Sequence, residues 1–482
     1  MADSHFDVLI IGAGISGIGQ GCHLRRTSPD LSFAILEARG DIGGTWDLFR
    51  YPGIRSDSDM YTFGYRFRPW ASAADIAPGP EIMTYLRETA EEYQLAPHIR
   101  FRSRVTAVNW NPSAQVWEAD VTPEEGAPYR LTAGFIVSCT GYYNYEKGYL
   151  PDWPGYEDYA GQIAHPQHWP EDLDYAGKRV LIIGSGATAV TLAPSMAKTA
   201  GHVTLLQRSP TWIFSRPAID PLTTWVNRLL PGWLGRKVNR VKNILLGIYI
   251  YSLSRKKPHK LAAFLRKEAA KGLGGEALLN PHFSPDYDPW DQRLCLIPDG
   301  DLYEALKDGS AEIVTDHVER FTPSGVVLKS GAEIEADVVV PATGLEIQLF
   351  GGIRPTLDGA PVVPEDHTLY RGMMLSNVPN FAVVFGYTNA SWTLKADLTG
   401  DYVCRLLNRM KAKGQAVVTP VLAEGSLERK PLMGLQSGYL LRAEAGLPKQ
   451  GAEAPWKNHE NYVGDMLAIR YGRFDDGVLA FE

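Results

Sequence analysis

The chain is short of cysteine, of long apolar runs and of positive charge, and each shortage removes a class of protein. Its four cysteines, Cys22, Cys139, Cys295 and Cys404, are too scattered for a CxxC redox pair, a zinc cluster or a dense disulfide framework. A reducing, cytoplasmic setting is expected. The apolar stretch Ile244 to Leu253 falls well short of the roughly 20 residues a membrane-spanning helix needs. The opening MADSHFDVLIIGAGISG has no basic run before its apolar residues, so a cleaved export signal is not expected. Against 48 Lys and Arg stand 55 Asp and Glu, a formal charge of −7. That balance argues against nucleic-acid binding through bulk positive charge.

What is present is globular: 482 residues, 45% hydrophobic and 21% charged, long enough for about three domains at roughly 150 residues each. Asp7 to Ile11 is a short apolar run that stops at Gly12, passes into helical spacing through Leu24 and is followed by a second run, Phe33 to Leu36. This is strand, glycine turn, helix, strand. The same grammar returns at Lys178, with RVLII, then Gly184-Ser185-Gly186-Ala187-Thr188-Ala189, a helical stretch, and VTLLQ ending before Arg208. Two further apolar runs end in Thr-Gly, Phe135 to Gly141 and Asp337 to Gly344, and read as the strands where the chain leaves and re-enters its first domain.

Two βαβ units imply two dinucleotide sites. In the first, Gly12 permits the tight turn, Gly14 lets a pyrophosphate approach the backbone, and Gly17 lets helix and strand pack closely. Glu37 ends the second strand, where a carboxylate accepts hydrogen bonds from ribose hydroxyls and disfavours a 2′-phosphate. The second unit ends in Arg208-Ser209, and a guanidinium there forks onto a phosphate, so this site is expected to take NADP. The alternative for Arg208 is an ordinary solvated cation. FAD is thereby expected in the first unit and NADPH in the second.

Between the units runs Gly43-Gly44-Thr45-Trp46, then Tyr51-Pro52-Gly53, Arg55 and Asp57. Paired glycines bring backbone close to a flat cofactor, Trp46 offers a rigid face, and Pro52-Gly53 turns the chain so that Asp57 points inward. Taken singly, Trp46 and Tyr51 read as core residues. Further on comes Tyr159-Ala-Gly161-Gln-Ile-Ala-His165-Pro-Gln-His168-Trp169-Pro170.

With these motifs the chain resembles the flavin-dependent Baeyer–Villiger monooxygenases. Their linker fingerprint, Phe-x-Gly-x-x-x-His-x-x-x-Trp-Pro, is met at 159–170 with Tyr for Phe, and their GGxWxxxxYPGxxxD signature at 43–57 without departure. GGTWDLFRYPGIRSDSDMYT, DPWDQRLC and GYTNASWTLKADL are similar to the branch containing the ethionamide-activating monooxygenase, and the matches run from about residue 7 to about residue 470. The resemblance implies an α/β fold with two Rossmann-like domains, FAD-binding at 1–145 and 335–482 and NADP-binding at 146–334. A helical insertion at about 210–290 would sit in the second.

The resemblance also implies a reaction. NADPH reduces FAD, O₂ adds at the flavin C4a, and Arg293 keeps the peroxide anionic so that it attacks a ketone and yields an ester or lactone. A guanidinium suits that task because it stays charged when buried. Sulfide or thioamide S-oxygenation is implied as a second activity. Asp57 falls on the acid that orients the arginine, while Ser16 and Val105 fall on positions touching FAD phosphate and adenine. Gln292 stands where many relatives carry a lysine for the NADP 2′-phosphate, which leaves that preference to Arg208. His165 is expected to pin the linker rather than exchange protons, and Cys295 to be an inert filler. A flavin-containing N- or S-monooxygenase and a catalytically silent flavin redox sensor are the alternatives.

From Arg228 to Lys271 there are twelve Lys or Arg and one acid, Glu268, leaving about −18 on the rest of the chain. Interleaved with Trp233, Leu245, Ile248 and Tyr251, this segment reads either as a peripheral surface for anionic membrane or as a solvated face that guides NADPH.

Overall fold

The computed structural model describes residues 4–72 and 74–482. Strand His5–Ile11, buried through its last four residues, lies parallel to Phe33–Leu36 on one side and Tyr129–Ser138 on the other. Helix Ile15–Thr27 makes the crossover between the first two. An antiparallel meander of Ser103–Asn111, Val116–Pro123 and Tyr129–Ser138 widens the sheet. Strands Phe381–Val383 and Arg354–Leu357 then join it in parallel from the far part of the chain. The long helix Trp392–Lys413 packs on Ile15–Thr27, so both ends of the sequence build this one domain.

The second domain is a wholly parallel sheet in the order Ala311–Thr315, His202–Gln207, Arg179–Ile183, Val338–Pro341, Gln162–Ile163. Its central strands Arg179–Ile183 and Val338–Pro341 are nearly continuous apolar runs, as strands covered on both faces require. The expected return to the first domain at about residue 335 falls one strand early. Val338–Pro341 pairs with Arg179–Ile183, so the second sheet keeps the chain until the Thr343-Gly344 turn. The chain thus leaves the first domain after the run ending at Gly141 and re-enters it after the run ending at Gly344, each run closing a strand of a different sheet.

The helical insertion comprises Pro221–Leu229, Gly232–Lys256 and Pro258–Leu273. It is bracketed by strands Ile213–Arg216 and Cys295–Pro298, which pair in parallel and fix the segment carrying Arg293. Among the described residues no helix is long and apolar enough to cross a membrane.

Candidate active site

A cavity of about 1160 Å³ lies where the two glycine turns face each other. Helices Ile15–Thr27 and Ala187–Met196 both open towards it with no side-chain cap at Gly14 or Gly186. Their first N–H groups are thus left for an anion, and the helix dipoles favour one. The volume exceeds the 300–1,000 Å³ or so of an ordinary small-molecule pocket, in keeping with two cofactors in one space.

On the first side, Gly14 bridges to Gly43 through the backbone, bringing the paired glycines against the turn. Glu37 is buried; its carboxylate accepts from the Ala13 N–H at 2.7 Å and the Arg39 N–H at 2.8 Å. Burial pushes its carboxyl above the ordinary range and those two donors hold it back. Each oxygen keeps a further lone pair for a ribose hydroxyl. The Ser16 hydroxyl accepts from the Trp392 indole N–H at 2.8 Å, leaving its own proton to donate. Thr45 meets the Tyr145 hydroxyl at 3.0 Å. Gly12, Gly44, Trp46 and Val105 line the same wall, with Trp46 edge-on to Phe63 at 5.6 Å. Gly17 lies outside the lining and Ala189 likewise; both act by letting helix and strand pack, and touch no ligand space.

On the second side Gly184, Ser185, Gly186 and Thr188 line the cavity, with Arg208 and Ser209 at its end. Arg208 is exposed and makes no hydrogen bond or ion pair with the described protein residues. Lys329, which nothing in the sequence singled out, lines the same space, is also exposed and has no ion pair there either. Two backbone bonds bring it there: Asp316 N–H to Gln207 O at 3.0 Å and Lys329 N–H to His317 O at 2.9 Å. No local motif could have found it, because only the sheet edge joins residues so far apart.

Arg293 occupies the junction. Its Nη1 donates to Asp57 Oδ2 at 3.5 Å and its Nε to the Tyr439 hydroxyl at 3.2 Å. Tyr439 foremost, then Tyr143, Tyr142 and Asp57, hold the guanidinium well above its ordinary pKa against the cost of burial. Asp57 therefore arrives where the 43–57 signature was expected to aim it, while the three tyrosines were not foreseen. Arg55 lines the cavity, but its guanidinium is paired with Asp301 at 2.5 Å, so it ties the signature to the second domain as well as bordering the cofactor space. Tyr51 sits in the core of that second domain, and a β-carbon on Gly53 would be 1.9 Å from Ser195 Oγ. Burial pushes the Tyr51 phenol up to about 12, with the Thr188 hydroxyl opposing.

His165 is set back from the cavity. Its Nδ1 accepts from the Gln167 N–H at 3.2 Å, and Gln167 Nε2 donates to Asn144 O at 2.6 Å, which pins the linker to strand Tyr143–Gly148. Burial, then His168, lowers its pKa. Cys295 is buried and its thiol is pushed up to about 12 by burial, which leaves it unreactive.

A model described as flavin-binding monooxygenase-like matches residues 74–226, and one described as an NAD(P)-binding Rossmann-like domain matches 10–87. The chain is 51% identical over 484 residues to a probable FAD-binding monooxygenase AlmA of Acinetobacter baylyi, covering 100% of this chain and 97% of the relative. It is 48% identical over 478 residues to the FAD-containing monooxygenase EthA of Mycobacterium tuberculosis, covering 99% and 98%. A steroid monooxygenase solved with NADP bound shares the fold, with TM-score 0.77 at 22% identity over 99% of both chains. With two nucleotide turns opening on one cavity and relatives this similar over nearly their whole length, the chain belongs to the FAD-containing monooxygenases, with an α/β fold.

Proposed function

We propose that the chain is a Baeyer–Villiger monooxygenase: ketone, O₂, NADPH and a proton give an ester or lactone, water and NADP⁺, with sulfides or thioamides S-oxygenated at the same site. The observation that carries this reading is Arg293, a permanently charged side chain at the junction of the two nucleotide sites, faced by Asp57 and Tyr439. When bound, FAD supplies oxygen activation and NADPH the electrons. The protein's part is electrostatic: Arg293 presents fixed positive charge where negative oxygen develops, and Asp57 and Tyr439 hold its orientation. The cofactor residues then divide between the units. Gly12, Gly14, Ser16, Glu37, Gly44, Thr45, Trp46 and Val105 hold FAD; Gly184, Ser185, Gly186, Thr188 and Ser209 hold NADP, with Arg208 and Lys329 on its 2′-phosphate. Arg55 is assigned to the rim between them.

The test is Arg293→Ala. It should retain FAD and oxidise NADPH, yet form ester from a simple ketone slower by on the order of 10²–10³, the usual loss on removing a preorganised charge. NADPH consumed should appear as hydrogen peroxide. Ester formation near the wild-type rate would overturn the assignment.

A further inference from the structure

Helix Gly232–Lys256 is inside out. Surface helices ordinarily turn an apolar stripe to the core and polar residues to water. Here the buried face is polar: Asn239 Nδ2 donates to Asn227 Oδ1 at 2.9 Å, Arg240 Nη1 to Tyr61 O at 2.8 Å, and Asn243 Nδ2 to Asp59 Oδ1 at 2.7 Å. The opposite face carries Trp233 and, eight residues on and then at four-residue steps, Val241, Leu245 and Tyr249, and the preceding helix Pro221–Leu229 adds Trp225 and Leu229. All six are 55–64% exposed. An aligned apolar face of this kind marks an interaction surface.

The charges around it choose the occupant. Lys237, which lies 5.0 Å over the Trp233 ring, and Lys256, Lys257 and Lys260 beyond the end of the stripe are exposed and form no ion pair with the described residues. Lys242 and Arg255 are instead neutralised by Asp220 and Asp291. None of residues 228–271 lines the cavity, so none of these cations contacts a ligand held there. Apolar and aromatic residues flanked by unpaired lysines, on a helix that cannot span, fit the headgroup boundary of an anionic bilayer.

We propose that helices Pro221–Leu229 and Gly232–Lys256 dock this enzyme on anionic lipid bilayers, with Trp225, Trp233, Leu245 and Tyr249 inserted and Lys256, Lys257 and Lys260 on the headgroups. The FAD-loaded protein is sedimented with phosphatidylglycerol/phosphatidylcholine vesicles and with phosphatidylcholine alone. Binding should favour the anionic vesicles and weaken towards 1 M salt, where the Debye length is about 3 Å. Lipids brominated along the acyl chains should quench Trp225 and Trp233 fluorescence. Trp233→Ser/Leu245→Ser should bind at least about tenfold more weakly while keeping FAD and turnover of a water-soluble ketone; Lys256→Gln/Lys257→Gln/Lys260→Gln should lose the preference for anionic lipid. Absence of wild-type cosedimentation and quenching would overturn the proposal. So would a wild-type dimer that the Trp233→Ser/Leu245→Ser variant dissolves, since that would assign the face to a second copy.

Discussion

Strands His5–Ile11 and Arg179–Ile183 run into glycines held the same way. A β-carbon on Gly12 would be 2.7 Å from Cys139 O, and one on Gly184 would be 2.3 Å from Ala342 O, each the carbonyl that precedes a Thr-Gly turn. Beyond that shared start the units part. At the close-packing position the first has Gly17, where a β-carbon would fall 1.8 Å from Gly12 O, and the second has Ala189, fully buried with its methyl accommodated. At the end of the second strand, the first unit has a buried carboxylate held by two N–H groups. The second has an exposed guanidinium with no partner among the described residues. A buried, satisfied acid suits a group that stays bound; an exposed, unpaired cation suits one that exchanges with solvent.

The largest way to break this contrast is to exchange the close-packing residues. Gly17→Ala puts a methyl into backbone and should cost about 1–3 kcal/mol or more by overpacking, losing most bound flavin. Ala189→Gly should keep its flavin and cost only about 1 kcal/mol of helix stability. Flavin per polypeptide and melting temperature measure both, and equal flavin content would erase the distinction.

Next come the unpaired cations. On the proposed assignment of Arg208 to the NADP 2′-phosphate, Arg208→Ala should cost a charge-assisted contact of about 1.5–3 kcal/mol and raise the KM for NADPH about 10- to 150-fold. Lys329→Ala should raise it less, and neither should change the KM for NADH. Unaltered NADPH kinetics in both variants would return these residues to ordinary surface cations.

The smallest effect concerns the linker between the units. Burial lowers the His165 pKa below 6.5, so as pH falls the unfolded chain takes its proton before the folded one, and stability is lost through that window. The melting temperature of the wild type should therefore fall more steeply between about pH 7.5 and 5.5 than that of His165→Asn. Parallel slopes would show that His165 does not pin the linker as a neutral ring.

Much of this was legible because the signals are local. The strand–glycine–helix order and Glu37 fall within single βαβ units, and Asp57 follows its glycine turn by a few positions. The domain boundary was misplaced because Val338–Pro341 is an apolar run that would suit either sheet; its partner, Arg179–Ile183, decides. Arg55 was expected at the cofactor, yet its pairing with Asp301 depends on a helix from the other domain.

By itself the sequence determined the duplicated nucleotide fold, since glycine turns and apolar strands are set by backbone sterics and burial within about thirty residues. It also determined the chemistry of each unit's end, an acid in one and a guanidinium in the other. Tertiary structure alone decided what surrounds Arg293, because Asp57 and Tyr439 reach it from distant segments. It decided that Lys329 stands beside the cavity, through a sheet edge that carries the chain past Gln207. It decided, too, that helix Gly232–Lys256 faces inward with its polar side, because the buried carbonyls of Tyr61 and Gly64 require the donors that Arg240 supplies.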